Sequence, residues 1–353
     1  MNTVLALVVG LATAFFLIKS RLQYLWLPKL PVQSGSGRPN VTVIIPARNE
    51  EKNIGAAVGC FPGVRVIVVN DDSSDRTADL AAAAGAEVIS APPLRKGNAG
   101  KPNACLAGAR AATTDWLLFV DADTRYQPEF LSSMLAYARK KEVPILSAFL
   151  AQKCVSLSEK IILPYAFGLY FTGVSAKRIN SIRYKDALAN GQCLLIRRDA
   201  YNFFGGHATV LDSVVEDVQL ASNAKRHRVD VRVVRAEHLG EVRMYESYSQ
   251  IQHGFRKNSF RFLLLNPRTG IQVILASILL TSYAPVIALL ISGDNWIAAA
   301  AYAAVPILCL IPWYAGPMVL LAPLAIYVFQ FIALSAMFFS LHGRKAIWKG
   351  RPV

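Results

Sequence analysis

An α/β domain with a mainly parallel sheet flanked by helices, carrying apolar segments at both ends, is the fold class this sequence predicts. Three observations carry it. Between residues 38 and 268, β-rich apolar runs alternate with helix-period segments, the pattern of strands joined by crossover helices. Three of those apolar runs end directly in short polar clusters. The chain is 54% hydrophobic and only 17% charged, and its apolar excess gathers outside that central stretch.

The elements follow in order. Residues 4–18 form a charge-free apolar run with Lys19, Arg21 and Lys29 after it and no basic residue before it. A cleaved signal peptide carries its charge at the other end, so residues 1–22 read as a retained membrane anchor, although the run is short for a spanning helix. Gln33 to Pro39 is a polar linker. Strands are expected at 41–46, 64–69, 86–90 and 116–120, and helices at 51–59, 75–84, 101–112 and 128–140. Pro102 fits a helix start, where its missing N–H costs nothing. Leu157 to Ala176, with Pro164 and aromatics at 165, 167, 170 and 171, is either a helix lying on a bilayer or an ordinary buried helix. A soluble domain is therefore expected over 38–268, and membrane helices over 269–341 from the stretches 271–291, 296–312 and 316–341. A basic tail, 342–353, follows.

Lys and Arg number 38 against 23 Asp and Glu, a formal net charge of +15, and many of the surplus cations flank the apolar runs. Lys19, Arg21 and Lys29 stand on one side, and Arg256, Lys257, Arg261 and Arg268 on the other. The positive-inside rule then predicts a multi-pass protein of the cell membrane with a cytoplasmic central domain. Adhesion to anionic headgroups accounts for the same charge equally well. Nucleic acid is excluded as a partner, because the cations form no stripe interleaved with aromatics. Three full crossings after a cytoplasmic domain would leave the basic tail outside, so one C-terminal segment is expected to be re-entrant or interfacial. The five cysteines, at 60, 105, 154, 193 and 309, have no CxxC spacing, which argues against a zinc site or a disulfide framework.

In an open α/β sheet, ligands bind beyond the carboxyl ends of the strands. The polar clusters fall there: Ala47-Arg48-Asn49-Glu50-Glu51, Asn70-Asp71-Asp72-Ser73-Ser74-Asp75 and Asp121-Ala122-Asp123. Each alone reads as a helix cap or a solvated turn, and capping is favoured for Ser74 or Asp75. On one sheet edge together they point to a binding site. Asp121 and Asp123 are hard oxygen ligands suited to Mg²⁺ or Mn²⁺, ions commonly shared between protein carboxylates and substrate phosphates. The implied substrate is a nucleotide diphosphate. The first turn lacks G-x-G-x-x-G, which removes the main support for a dinucleotide-dependent oxidoreductase.

These blocks resemble the family-2 glycosyltransferases and their GT-A nucleotide-sugar-binding fold. VIIPARNEE at 43–51 looks like the family's opening strand and loop, VVNDDSSDRT at 68–77 like its second acidic block, and FVDADT at 119–124 like its metal motif. Asn70 stands where the family has its first Asp, and Asp72 where it has Gly. GKPNACLAGARAA at 100–112, NGQCLLIRRDAYNFFGGH at 190–207, GFRKN at 254–258 and WKGRPV at 348–353 are similar to the membrane-bound branch that glycosylates lipids: carotenoid-acid (4,4'-diaponeurosporenoate-type), hopanoid-associated and ceramide glycosyltransferases. The Q-x-x-R-W motif of many relatives survives only as His253-Gly254-Phe255-Arg256-Lys257, which counts against a processive polysaccharide synthase.

The resemblance implies transfer of a sugar from a nucleotide-diphosphate donor, UDP-linked, to a membrane lipid. It places Pro46, Ala47, Arg48, Asn49, Glu50, Asp71, Lys101, Asp121, Ala122, Asp123, Arg256 and Lys257 on the donor, with Asp71 on the base and Asp121 and Asp123 on the metal. Diphosphate departure needs a metal and cations, and an acceptor hydroxyl needs a base. Glu216-Asp217 resembles the family's acidic pair and offers that base, with single displacement and inversion as the outcome; otherwise the pair merely complements a helix N-terminus. Gly191, Gln192 and His207 are expected at the acceptor, although a His after paired glycines also reads as a turn residue. A polyprenyl-phosphate sugar synthase and a catalytically silent membrane scaffold are the alternatives.

Overall fold

The computed structural model describes residues 2–35, 39–265, 267–341, 347–348 and 351–352, with the side chains of 257–265 and of residues from 339 onward outside that description. Helix α1 (Asn2–Leu25) leads into β1 (Val41–Ala47), α2 (Ile54–Gly59), β2 (Arg65–Asn70), α3 (Thr77–Ala83), β3 (Glu87–Ser90), α4 (Gly100–Ala111) and β4 (Trp116–Val120). Next come β5 (Thr124–Tyr126), α5 (Phe130–Lys140), β6 (Ile145–Phe149), β7 (Ala151–Gln152), α6 (Leu157–Thr172), α7 (Ala176–Ile179), β8 (Cys193–Arg197) and α8 (Arg198–Phe203). The central part closes with α9 (Glu216–Arg226), β9 (Val231–Arg235), β10 (Gly240–Val242) and α10 (Tyr248–Leu265). Apolar helices α11 (Pro267–Thr281), α12 (Tyr283–Ser292), α13 (Trp296–Leu310) and α14 (Ala322–Leu341) follow, then a short hairpin of β11 (Ile347–Trp348) and β12 (Arg351–Pro352).

The main sheet has seven strands in the order β3-β2-β1-β4-β8-β6-β9. Strands β3, β2, β1 and β4 run parallel, β8 runs antiparallel to both of its neighbours, and β9 is parallel to β6. Both faces are buried, which is why the strands read as continuous apolar runs. Val43, Ile45, Val66, Val68, Leu118 and Val120 pack under α2, α3 and α5. Ile44, Ile67, Val69, Leu117 and Phe119 pack under α4, α8 and α9. Helix α4 lies very close to β1: a Cβ on Gly108 would sit 2.4 Å from Ile44 Cγ2. The parallel order places the ends of β1, β2 and β4 on one edge.

Strand positions agree with the sequence reading to within a residue; α2, α3 and α5 begin two or three residues later than expected, and α4 begins one residue earlier. Helix α2 starts at Ile54 because the chain first turns back on itself, with the N–H groups of Asn53 and Ile54 both donating to Glu50 O (2.9 Å each). The N-terminal helix is longer than its charge-free run, at 24 residues. It continues through Lys19 and Arg21 because both find partners: Lys19 Nζ donates to Thr172 O (3.0 Å), and the Arg21 guanidinium lies over the Trp313 ring.

Among the described residues, four helical segments are long and apolar enough to cross a membrane: Asn2–Leu25, Pro267–Ser292, Trp296–Trp313 and Gly316–Phe338. Helix α6 is packed among them, with Ile161, Tyr165 and Leu169 buried against residues of α1, α11 and α14. The buried-helix reading of this segment therefore holds. Its start is fixed by a capping box of Ser156 and Glu159, and Tyr314 Oη donates to Ile161 O (2.7 Å). Arg256 Nε of α10 donates to Ser335 Oγ of α14 (3.0 Å), and β11 packs on α10.

Candidate active site

The loops after β1 and β2 interlock through hydrogen bonds. Asp71 N–H donates to Ala47 O (2.8 Å), and Arg48 Nη1 donates to the carbonyls of Asp71 (2.6 Å) and Asp72 (3.0 Å). Asn49 and Asp72 take left-handed backbone conformations, φ 53° and 56°, which Asn and Asp tolerate better than most residues. Asn49 is spent within the loop: its N–H donates to Ser73 Oγ (3.1 Å) and its Oδ1 accepts from Ser74 N–H (2.9 Å). Asn70 Oδ1 accepts from Ser73 N–H (3.1 Å), a turn an Asp would close in the same way. Asp75 Oδ1 accepts from Thr77 N–H (3.0 Å) just ahead of α3, whose N-cap position is Arg76.

These loops wall one side of a cavity of about 290 Å³. Pro46, Ala47, Arg48, Glu50 and Asp71 line it from β1 and β2, Asp121, Ala122 and Asp123 from β4, Lys101 from α4, Gly191 and Gln192 from the segment before β8, and Glu216 and Asp217 from α9. The sequence reading therefore assembles at one place, with four exceptions. Asn49 stays in its loop, His207 lies beneath, Arg256 faces Ser335, and the side chain of Lys257 lies outside the described residues.

Charge organises the far wall. Lys101 Nζ lies 2.7 Å from Asp121 Oδ1 and 3.1 Å from Glu216 Oε1. Burial acts to lower the Lys101 pKa, but Asp121 and Glu216 outweigh it and hold the ammonium charged. Asp217 Oδ2 accepts from Gly191 N–H (2.7 Å) and its Oδ1 from Val218 N–H (2.8 Å). Burial, reinforced by Glu216, pushes the Asp217 carboxyl up to about 6, against the pull of Lys101 and those two amides. A carboxylate poised near neutrality is suited to taking a proton. Gly191 is fitted to the cluster: a Cβ there would stand 3.0 Å from Lys101 Nζ and 3.2 Å from Asp217 Oδ2.

His207 sits in a short 3₁₀ turn under this cluster, 2% exposed. Tyr201 Oη accepts from the His207 backbone N–H (3.0 Å) and lies 3.0 Å from Nδ1, so the hydroxyl proton is free for Nδ1 and the ring proton belongs on Nε2. Burial lowers the ring pKa to about 4 and keeps it neutral. Its place is in the floor of the site, combining the turn reading with proximity to Lys101 and Asp217.

Sequence reasoning missed Ser213, Val214 and Val215 before α9, and Met244, Tyr245 and Gly254 around the start of α10. One signal was available. A glycine inside a helix is costly and marks a close approach, and a Cβ on Gly254 would meet Tyr245 Oη at 2.3 Å.

The acidic residues fit a divalent ion held jointly with phosphates. Asp121 and Asp123 supply hard oxygens at the cavity wall, and among the described residues no cluster of three or more His, Cys, Asp or Glu could enclose an ion by itself.

Residues 42–204 match the profile of Glycosyl transferase family 2. The chain carries a family-2 glycosyltransferase domain. It is 28% identical over 229 residues to 4,4'-diaponeurosporenoate glycosyltransferase of Staphylococcus haemolyticus, covering 61% of this chain and 59% of that protein. Against the Staphylococcus aureus protein of the same name, identity is 29% over 239 residues, with 62% and 60% covered. The chain thus spans about 60% of the length of these curated relatives. Among solved structures, a mannosyltransferase from Pyrobaculum calidifontis in complex with GDP-Man and Mn²⁺ superposes with a TM-score of 0.59 at 15% identity, covering 96% of this chain and 99% of that one. The likeness shows a shared fold, and the α/β domain of this chain is a GT-A domain.

Proposed function

We propose that the protein transfers a sugar from a nucleotide-diphosphate donor, UDP-linked, to a hydroxyl or carboxyl group of a membrane lipid, with inversion at the anomeric carbon. The observation that carries the reading is the meeting of two acidic pairs, Asp121/Asp123 and Glu216/Asp217, around Lys101 in one cavity. The curated relatives named for a carotenoid acid support a lipid acceptor.

In this reading the β1 and β2 loops hold the nucleoside, with Asp71 on the base and Arg48 bracing the loop. Asp121 and Asp123 would hold Mg²⁺ or Mn²⁺, and a bound ion there would supply positive charge against a diphosphate. Lys101 adds a cation to the same charge. Asp217, oriented by the Gly191 and Val218 amides, accepts the proton of an acceptor hydroxyl. A carboxyl acceptor arrives already ionised and gives Asp217 no proton to take, so the size of an Asp217→Asn effect reports the acceptor group. Gly191, Gln192 and the roof of Met244 and Tyr245 border the acceptor side.

The apolar helices present Leu11, Phe15, Ile274, Leu308 and Phe331 outward, a surface suited to hydrocarbon. The α/β domain lies on the cytoplasmic side by the positive-inside rule. One C-terminal segment is re-entrant or interfacial on this reading, in keeping with the charge of the tail.

Purified protein in nanodiscs, given labelled UDP-sugar, Mn²⁺ and total membrane lipid, is expected to place label in an organic-extractable product. Label retained in the aqueous phase on a growing polymer would overturn the lipid assignment.

A further inference from the structure

A second cavity, about 480 Å³, opens where the end of α1, helix α6, the β6–β7 edge and the link from α13 to α14 meet. Its lining divides by chemistry. Leu163, Phe167, Trp313 and Met318 give an apolar wall, and Arg21 and Lys160 add two cations. The Arg21 guanidinium lies over the rings of Tyr24 (5.5 Å) and Trp313 (5.1 Å). Among the described residues, neither Arg21 nor Lys160 makes a side-chain hydrogen bond or an ion pair.

The nearby acids are engaged elsewhere. Glu237, the acid that bears on Arg21, is held by Arg235 at 3.2 Å, and Glu159, beside Lys160, is held by Arg243 at 3.0 Å. Among the described residues neither cation has a direct ion-pair partner, so the cavity sets two positive charges next to apolar surface. Cations at the end of a spanning helix commonly reach for headgroups, but anchoring of that kind needs no cavity beside them. A guanidinium held by aromatic faces keeps its edge free for a planar two-oxygen anion.

We propose that this cavity binds one membrane lipid with an anionic headgroup, its phosphate or carboxylate held by Arg21 and Lys160 and its hydrocarbon chain lying along Leu163, Phe167 and Met318. The proposal rests on the reading that the apolar helices lie in a membrane, and it does not depend on which lipid accepts the sugar.

Native mass spectrometry of the full chain, titrated with dioleoyl phosphatidylglycerol or dioleoyl phosphatidylcholine, tests it. The wild type is expected to prefer the anionic lipid by roughly tenfold or more, as two headgroup-facing cations imply. Arg21→Gln/Lys160→Gln should lose that preference. Ala315→Trp, which fills the cavity and keeps both charges, should lose the lipid as well, which separates a built site from general surface attraction. Nucleotide-sugar binding, measured in parallel, is expected to persist and reports that each variant is folded. Equal binding of the two lipids by the wild type, or retained preference in either variant, overturns the site. Displacement of the lipid by millimolar inorganic phosphate would make it a site for small anions and overturn the lipid assignment. Carbonate extraction of the wild type from membranes keeps the two readings apart: release refutes the membrane reading, and retention without lipid preference refutes only the site.

Discussion

The two walls of the catalytic cavity are held together by different forces. After β1 and β2, the side chains of Arg48, Asn49 and Ser73 bind backbone groups, and the loops lock mainly through side chain-to-backbone hydrogen bonds. Around Lys101, three carboxylates from β4 and α9 share one ammonium and two amides. The first arrangement is insensitive to conditions and suited to holding a nucleoside. On the proposed reading the second is the side expected to respond to pH, metal and substrate.

Removing the metal should produce the largest contrast between them. Excess chelator, or Asp123→Ala, is expected to abolish turnover and weaken the donor through its diphosphate, while the fold persists. Full activity in excess EDTA would mean that the leaving group departs without a metal, with Lys101 as its cation.

Next in size is the pH response. Asp217, raised to about 6, has to be ionised to accept a proton, so with a hydroxyl acceptor the transfer rate should fall about tenfold per pH unit below 6. Donor affinity should hold over the same range if the β1 and β2 wall is as indifferent to charge as its contacts suggest. The sign for stability is opposite to ordinary acid denaturation. This carboxyl has a higher pKa folded than unfolded, so its contribution becomes more favourable as pH falls from above 6 toward the usual carboxylate range. A flat rate profile between pH 5 and 8 would remove Asp217 from the proton transfer.

A smaller effect should come from crowding. Gly191→Ala places a methyl group 3.0 Å from Lys101 Nζ, the end of a flexible side chain. A several-fold loss of transfer with unchanged melting is expected, whereas Gly108→Ala, against Ile44 at 2.4 Å, should cost roughly 1–3 kcal/mol of stability. Equal behaviour of the two variants in thermal melts would contradict this division.

The wall that is locally wired was also the one legible in the sequence. Contiguous strand-and-loop blocks at 43–51 and 68–77 carry both their secondary structure and their polar clusters, and the block at 119–124, which feeds the other wall, is legible in the same way. Glu216 and Asp217 were legible as a pair, but nothing in the sequence put Lys101 between Asp121 and Glu216. Tyr245 and Met244 reach the cavity through tertiary packing that no local pattern records. Arg256 shows how helix geometry limits a motif. It lies two residues from Gly254, roughly 200° around the helix, so with Gly254 lining the cavity it is turned toward Ser335. Helix α6 is apolar on nearly every face, the pattern of a surrounded helix, and its packing among α1, α11 and α14 agrees. The length of α1 was hidden by Lys19 and Arg21, whose partners lie on α6 and near α13, far along the chain.

The division of labour between the walls is tested most directly by Asp217→Asn, with the nucleotide sugar titrated by calorimetry and transfer to lipid measured on the same preparation. The account predicts donor affinity within about twofold of wild type and transfer lower by roughly 10²-fold or more. Transfer to a hydroxyl-bearing lipid equal to wild type, or donor binding lost together with transfer, would contradict it.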